Sequence, residues 1–281
     1  MKNKKIDIGY IIRISSCILA FLGTVIYFSY SCKIIVNNYL TIATVSWLIN
    51  CAVASVLFMI MLSVTAVLLR PFWIAIITYG AGAILFALMV GSAAAMWIAA
   101  GIFLIVLVLY LFFEIGQLKN QIKFSTHPLG DKKILICSLL AMMISVALGV
   151  GYLNDSTKRN YIIPPEAKTY LQQTMMNGAK TALNSQKGTE KQKQAALKQT
   201  EEKIKTMIND QENSLKPNQK YIPLTLGVFA FFFFQMALFL ISLISAIFIP
   251  LVFWILKISH FTHTSVENCE TQHLTLNTQQ T

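Results

Sequence analysis

The chain has 281 residues, of which 56% are hydrophobic and only 12% charged, with a formal charge of +11. A soluble domain has roughly a quarter of its residues charged, so the composition excludes a wholly soluble protein and points to the membrane. The surplus of Lys and Arg suits cytoplasmic loops beside anionic lipid better than it suits nucleic acid, and no nucleic-acid partner is expected.

At the N-terminus, Lys2, Lys4, Lys5 and Arg13 precede an apolar run that ends in Phe28-Ser29-Tyr30-Ser31-Cys32. A cleaved signal would end in small residues, and a lipid-attachment site would place one where Tyr30 stands. The run is therefore expected to be an uncleaved span, Ile14 to about Tyr30. Beyond it, the 80 residues between Lys33 and Glu114 hold a single charge, Arg70. A helix crosses a ~30 Å hydrocarbon core with about 20 apolar residues. The second span is predicted within Leu40–Leu69, closed by Arg70-Pro71, because Pro cannot continue a helix interior. Residues 72–113 fit two spans, with the turn at Gly91-Ser92.

Ile115, Leu118 and Ile122, set among Lys119 and Lys123, predict a short interfacial helix that ends at His127-Pro128-Leu129-Gly130. The fifth span is Ile134 to Tyr152 and the sixth begins near Ile222. The last apolar stretch, 221–256, is too long for one core thickness. Pro250 is expected to divide it into a tilted span and an interfacial helix, Leu251–Phe261; two short spans are the alternative.

Residues 155–220 have the opposite character, with 12 Lys or Arg and 7 Asp or Glu in 66 positions. Pro164-Pro165-Glu166 opens a helix there, since Pro and an acid are both favoured in a first turn. Leu171, Met175, Ala179 and Leu183 recur at spacing four. After a break at residues 184–188, Thr189 with Gln192 has capping-box spacing. The second helix then carries the stripe Leu197, Ile204, Ile208 and Leu215. Such spacing suits a helical hairpin or coiled coil, with Leu171, Met175, Leu197, Ile204 and Ile208 as its candidate interaction face. A solvated connector without a partner is the blander reading.

The expected domains are thus a membrane domain (1–154), the insert (155–220), the sixth span with its interfacial helix (221–261) and a disordered cytoplasmic tail (262–281). Orientation follows from the cations. With the N-terminus inside, ten Lys or Arg lie on short inner segments against Lys33 alone on short outer ones. Both termini are then cytoplasmic and the insert is extracytoplasmic. Only Cys32 among the cysteines would face the oxidising side, so no disulfide framework is expected.

Chemistry-bearing residues are scarce. The second to fifth spans contain no ionisable group, which disfavours an ion-coupled transporter. Asn50 is the one amide of the second span, suited to an interhelical hydrogen bond or to a substrate site. Small residues recur at spacing four, most regularly as Cys137, Ala141, Ser145 and Gly149, where backbones can approach closely. His260, His263, Cys269 and His273 in the tail are zinc-binding residue types without a folded setting, so no metal and no cofactor is expected. No protease, hydrolase, P-loop or dinucleotide motif occurs.

The reading is an all-α, polytopic transmembrane helical bundle of about six spans with an extracytoplasmic helical hairpin between spans five and six. It describes a non-enzymatic interaction or assembly protein of the plasma membrane, from a bacterial inner membrane. Its partners are the lipid bilayer and an envelope protein or a second copy of the chain. A transporter or channel is the alternative.

Overall fold

The computed structural model describes residues 8–69, 71–91, 93–119, 133–184, 190–259 and 261–262. Among them are eight α-helices and no strand. In order these are α1 (Ile8–Asn37), α2 (Val45–Leu68), α3 (Phe72–Val90), α4 (Ala94–Lys119), α5 (Lys133–Arg159), α6 (Pro165–Asn184), α7 (Glu190–Leu215) and α8 (Ile222–Ile258). Short 3₁₀ turns cover Tyr39–Ala43 and Lys216–Tyr221.

Six helices, α1 to α5 and α8, are long and apolar enough to cross a membrane. Their outward faces are apolar too: Leu88, Phe232 and Ile247 are all more than 60% exposed. Apolar surface on that scale fits lipid and not water. Exposed Tyr30, Trp97 and Tyr221 lie towards one end of the bundle, and exposed Trp73 and Trp254 towards the other. Amphipathic rings of this kind favour the two membrane–water boundaries.

The helix boundaries have local causes. The Thr44 hydroxyl accepts from the Trp47 amide at the start of α2, satisfying one of the donors a helix start leaves unpaired. Pro71 precedes α3. The turn between α3 and α4 falls at Gly91, as expected from its sequence. Asn160 follows α5 with φ of 51°, a left-handed conformation that Asn tolerates and that closes helices.

The bundle is filled by aromatic side chains. Phe21 and Phe28 of α1, Phe58 of α2, Tyr79 and Phe86 of α3 and Phe103 of α4 are buried. Their rings form one chain of contacts with centroids 5.3–6.4 Å apart. That spacing lies within the favourable range for aromatic pairs. Against this cluster α8 packs along α5 and against α2. The Ser138 hydroxyl accepts from Gln235 Nε2 at 2.7 Å, and the Trp47 ring meets Phe234 edge-on. Of the Phe231–Phe234 run, Phe232 and Phe233 stay exposed while Phe234 turns inward.

Three expectations change. First, α8 runs unbroken through Pro250. A proline removes one intrahelical bond, a loss that spanning helices tolerate through local adjustment and neighbouring groups. At 1.5 Å per residue the helix is about 55 Å long, so it extends beyond a core of ~30 Å. Second, α5 continues to Arg159, past the boundary expected at residue 154. The Asp155–Arg159 pair and the Ser156 and Thr157 hydroxyls, both bonded to the Leu153 carbonyl, support this extra turn. Third, α4 continues to Lys119, absorbing the start of the expected interfacial helix. The rest of that helix, the break after Asn184 with the Thr189 cap, and His260, His263, Cys269 and His273 lie outside the described residues.

Candidate functional site: the junction of the bundle with α6 and α7

The densest polar network among the described residues lies where α5 leaves the bundle for α6. Gly151 creates the approach that makes it possible. A Cβ at this position would sit 2.5 Å from the Ile35 carbonyl oxygen and 3.2 Å from the Tyr39 Cβ, so only hydrogen fits between α5 and α1. This contact brings the turn at Tyr39 against the end of α5.

From there the hydrogen bonds form a chain. The Tyr161 hydroxyl donates to Asp155 Oδ2 at 2.6 Å. It has one proton to give, so in the 3.0 Å contact between the two hydroxyls Tyr39 is the donor. Asp155 pairs with Arg159 at 3.1 Å and Arg159 with Glu166 at 3.0 Å. The Tyr152 hydroxyl donates to the Ile162 carbonyl at 2.6 Å. Glu212, near the end of α7, accepts from the Ile162 and Ile163 amides and from Lys168 Nζ. Residues 160–164 are therefore held from three directions: the α1–α2 turn, the last turns of α5, and α7.

Burial sets the protonation of this cluster. It pushes Tyr39 up to about 12. It also raises Tyr161, with the bond to Asp155 adding to the effect. Both phenols are neutral donors at physiological pH. The hydrogen bond from Lys168 chiefly holds the Glu212 carboxyl below its ordinary range, with the Ile162 and Ile163 amides acting in the same direction.

The five residues of the candidate interaction face do not share a side. Ile204 and Ile208 are buried and Leu197 is half-buried. Apart from the turn that follows it and the Glu212 bonds to the linker, α7 packs chiefly on α6. Leu171 and Met175 of α6 are exposed by 45% and 37%. Helix pitch explains the split. Each step of four residues advances 40° beyond a full turn, so the stripe from Leu171 to Leu183 winds through about 120°. The half-buried positions of α6 are Ala167, Lys168, Gln172, Met176, Ala179 and Leu183, so only the last two members of the stripe turn inward. Steps of seven return almost to the same angle, which keeps Leu197 and Ile204 aligned.

Asn50 is exposed on α2, and its side-chain oxygen accepts from the Tyr27 hydroxyl of α1 at 3.4 Å. Ala141 and Ser145 are buried. A Cβ on Gly149 would lie 3.2 Å from the Pro223 carbonyl, which places these three residues in the α5–α8 seam. Other small residues at spacing four, Ser16 and Ala20 of α1 and Ser46 of α2, are exposed. Cys32 is fully buried.

Sequence reasoning did not find Tyr39, Tyr152, Asp155, Tyr161, Arg159 or Glu212. Only the four-residue spacing of Asp155 and Arg159 was a local signal; the Tyr39–Tyr161 contact joins residues 122 positions apart. Among the described residues no cluster of His, Cys, Asp or Glu could hold a metal. Compared with protein-family models, curated proteins and solved structures, the chain matches none of them.

Proposed function

We propose that this is a plasma-membrane interaction or assembly protein of a bacterial inner membrane. In this reading α6 and α7 form an extracytoplasmic helical hairpin that binds an envelope component or a second copy of the chain. The observation that carries it is the outer face of α6. Tyr170, Leu171 and Met175 stay exposed there, Tyr170 by 70%, although the adjoining pair has a buried seam at Ile204 and Ile208. Large apolar side chains left open beside a polar rim favour a protein contact. The chain of bonds at the base of the pair supports a transmitting role, since a force on α6 would reach the Tyr39 turn through Tyr161.

Sidedness rests on the ten-to-one distribution of cations. The 6.0 Å approach of Arg13 to the Phe261 ring, which joins the start of α1 to the end of α8, agrees with termini on one side. The aromatic filling of the bundle weighs against the transporter alternative, which needs a polar or water-filled path.

Photo-crosslinkers at Leu171 and Gln199 in the full chain test the proposal. A discrete adduct from Leu171, absent from Gln199, is expected in cells. Two differently tagged copies distinguish self-association from an envelope partner. No adduct at Leu171, together with full activity after residues 164–215 are replaced by a Gly/Ser linker, would sink the contact reading.

A further inference from the structure

We infer that the rim of the bundle at the α6–α7 end is a docking surface for anionic phospholipid headgroups. The observation is an imbalance between cations with partners and cations without. The three acids at this junction, Asp155, Glu166 and Glu212, are all taken up by Arg159 and Lys168. Lys33, Lys158, Lys216 and Lys220 remain exposed, and among the described residues none of the four makes an ion pair. Four unneutralised cations therefore surround the end of a bundle that is otherwise clad in apolar side chains.

Their heights suit a surface. Lys33 lies two residues before Ile35, whose carbonyl meets Gly151, and Gly149 in turn meets the Pro223 carbonyl. Lys33 and the start of α8 are thus level. Lys220 lies three residues and Lys216 seven residues before Pro223, about 6 Å and about 14 Å at the rise of a 3₁₀ helix. Lys158 stands seven residues past Gly151, about 10 Å further out. Flexible lysine stems cover such differences by bending towards the charge they seek.

The cations belong to α1, α5 and the turn before α8, and α1 and α8 meet α5 at Gly151 and Gly149 respectively, two residues and so about 200° apart around the helix. They are spread around the rim instead of converging on a pocket. That distribution fits a planar anionic layer and not a single small ligand. Exposed Tyr30 and Tyr221 accompany them, and the Lys220 ammonium lies 4.9 Å from the Tyr221 ring centre. An aromatic ring beside a cation is the pairing favoured at headgroup depth. Lysines held near a membrane surface are drawn to anionic headgroups, and their contributions add.

The test uses the full chain in nanodiscs made with phosphatidylglycerol or with phosphatidylcholine. The wild type is expected to melt higher in the anionic discs, by a margin that shrinks as salt is raised. Lys33, Lys158, Lys216 and Lys220 changed together to Gln should remove at least half of that margin while leaving the melt in phosphatidylcholine unchanged. The same four positions changed to Arg should keep it, which separates lost charge from a damaged fold. Lys198, Lys203 and Lys205 changed to Gln, on the exposed part of α7, should also keep it.

Inorganic phosphate added to the phosphatidylcholine discs should not reproduce the effect. A four-Gln variant with the full anionic margin would overturn the inference. Equal losses in the rim and α7 variants, or an equal rise with free phosphate, would do the same.

Discussion

At Gly151 a single methyl group decides whether α1 and α5 can meet. Gly151→Ala would push a Cβ into the Ile35 carbonyl, a backbone atom that cannot swing aside. The expected loss is about 1–3 kcal/mol, the usual cost of overpacking, read as a lower melting temperature in detergent. Gly23→Ala is the control, because nothing lies within 4 Å of a Cβ there; a neutral change or a gain of about 0.5 kcal/mol is expected from the stiffer chain. Equal melting of the two variants would remove the close approach from the account. Glu212 gives a second test at this scale. Its folded pKa is depressed, chiefly by Lys168. The stability it adds is therefore complete above the ordinary Glu value of about 4.3 and is lost as pH falls through the lower folded value. Amide-exchange protection at Ile162 and Ile163 should weaken across that acidic window in the wild type. Glu212→Gln should start weaker, by about 2 kcal/mol for a charge-assisted bond, and lose part of the pH dependence. Identical profiles for the two proteins would show that Glu212 does not anchor the linker.

At the scale of single helices, α6 and α7 differ in what their apolar residues do, and substitution should separate the roles. Ile204 is 5% exposed, so Ile204→Asp would bury a charge without a partner and open the pair. A loss of about 3–5 kcal/mol should show as proteolysis within α6 and α7. Leu171→Asp alters an exposed site and should stay within about 0.5 kcal/mol of the parent, yet abolish the contact proposed for that face. Protease sensitivity in both variants alike would mean that Leu171 packs within the pair after all. The two residues also mark how far the sequence could be read. The long apolar segments were legible because one charge in 80 residues allows no other architecture, and the seven-residue spacing of Leu197 and Ile204 survives helix pitch. The spacing of four at Leu171 and Met175 does not, because the drift of the stripe is settled only by where α7 docks. The tyrosine chain was beyond reach for another reason: Tyr39, Tyr152 and Tyr161 become neighbours only after Gly151 lets two distant helices meet.

Across the whole molecule, the sidedness of the bundle is the statement on which the partner, the transmitted contact and the lipid rim all depend. The chain supplies a favourable background for testing it. Cys17, Cys32, Cys51 and Cys137 are buried, and a thiol must be accessible to react, so labelling of the parent in intact cells reports on Cys269. With both termini inside, an impermeant thiol reagent should leave Cys269 unmodified until the membrane is opened. A cysteine introduced at the exposed position Gln199 of α7 should react from outside at once. One at the exposed Leu251 of α8, beyond Pro250, should behave like Cys269 and not like Gln199. This last position is decisive, because α8 is a single 37-residue helix, which in the six-span reading crosses only once. Two short spans in the same stretch would return Cys269 to the side of α7. Labelling of Cys269 in intact cells, with Gln199→Cys labelled as well, would therefore overturn the six-span count. Lys257 would then join Lys33 on the outer side, leaving nine inner cations against two, so the orientation of the first five spans would still follow from the cations.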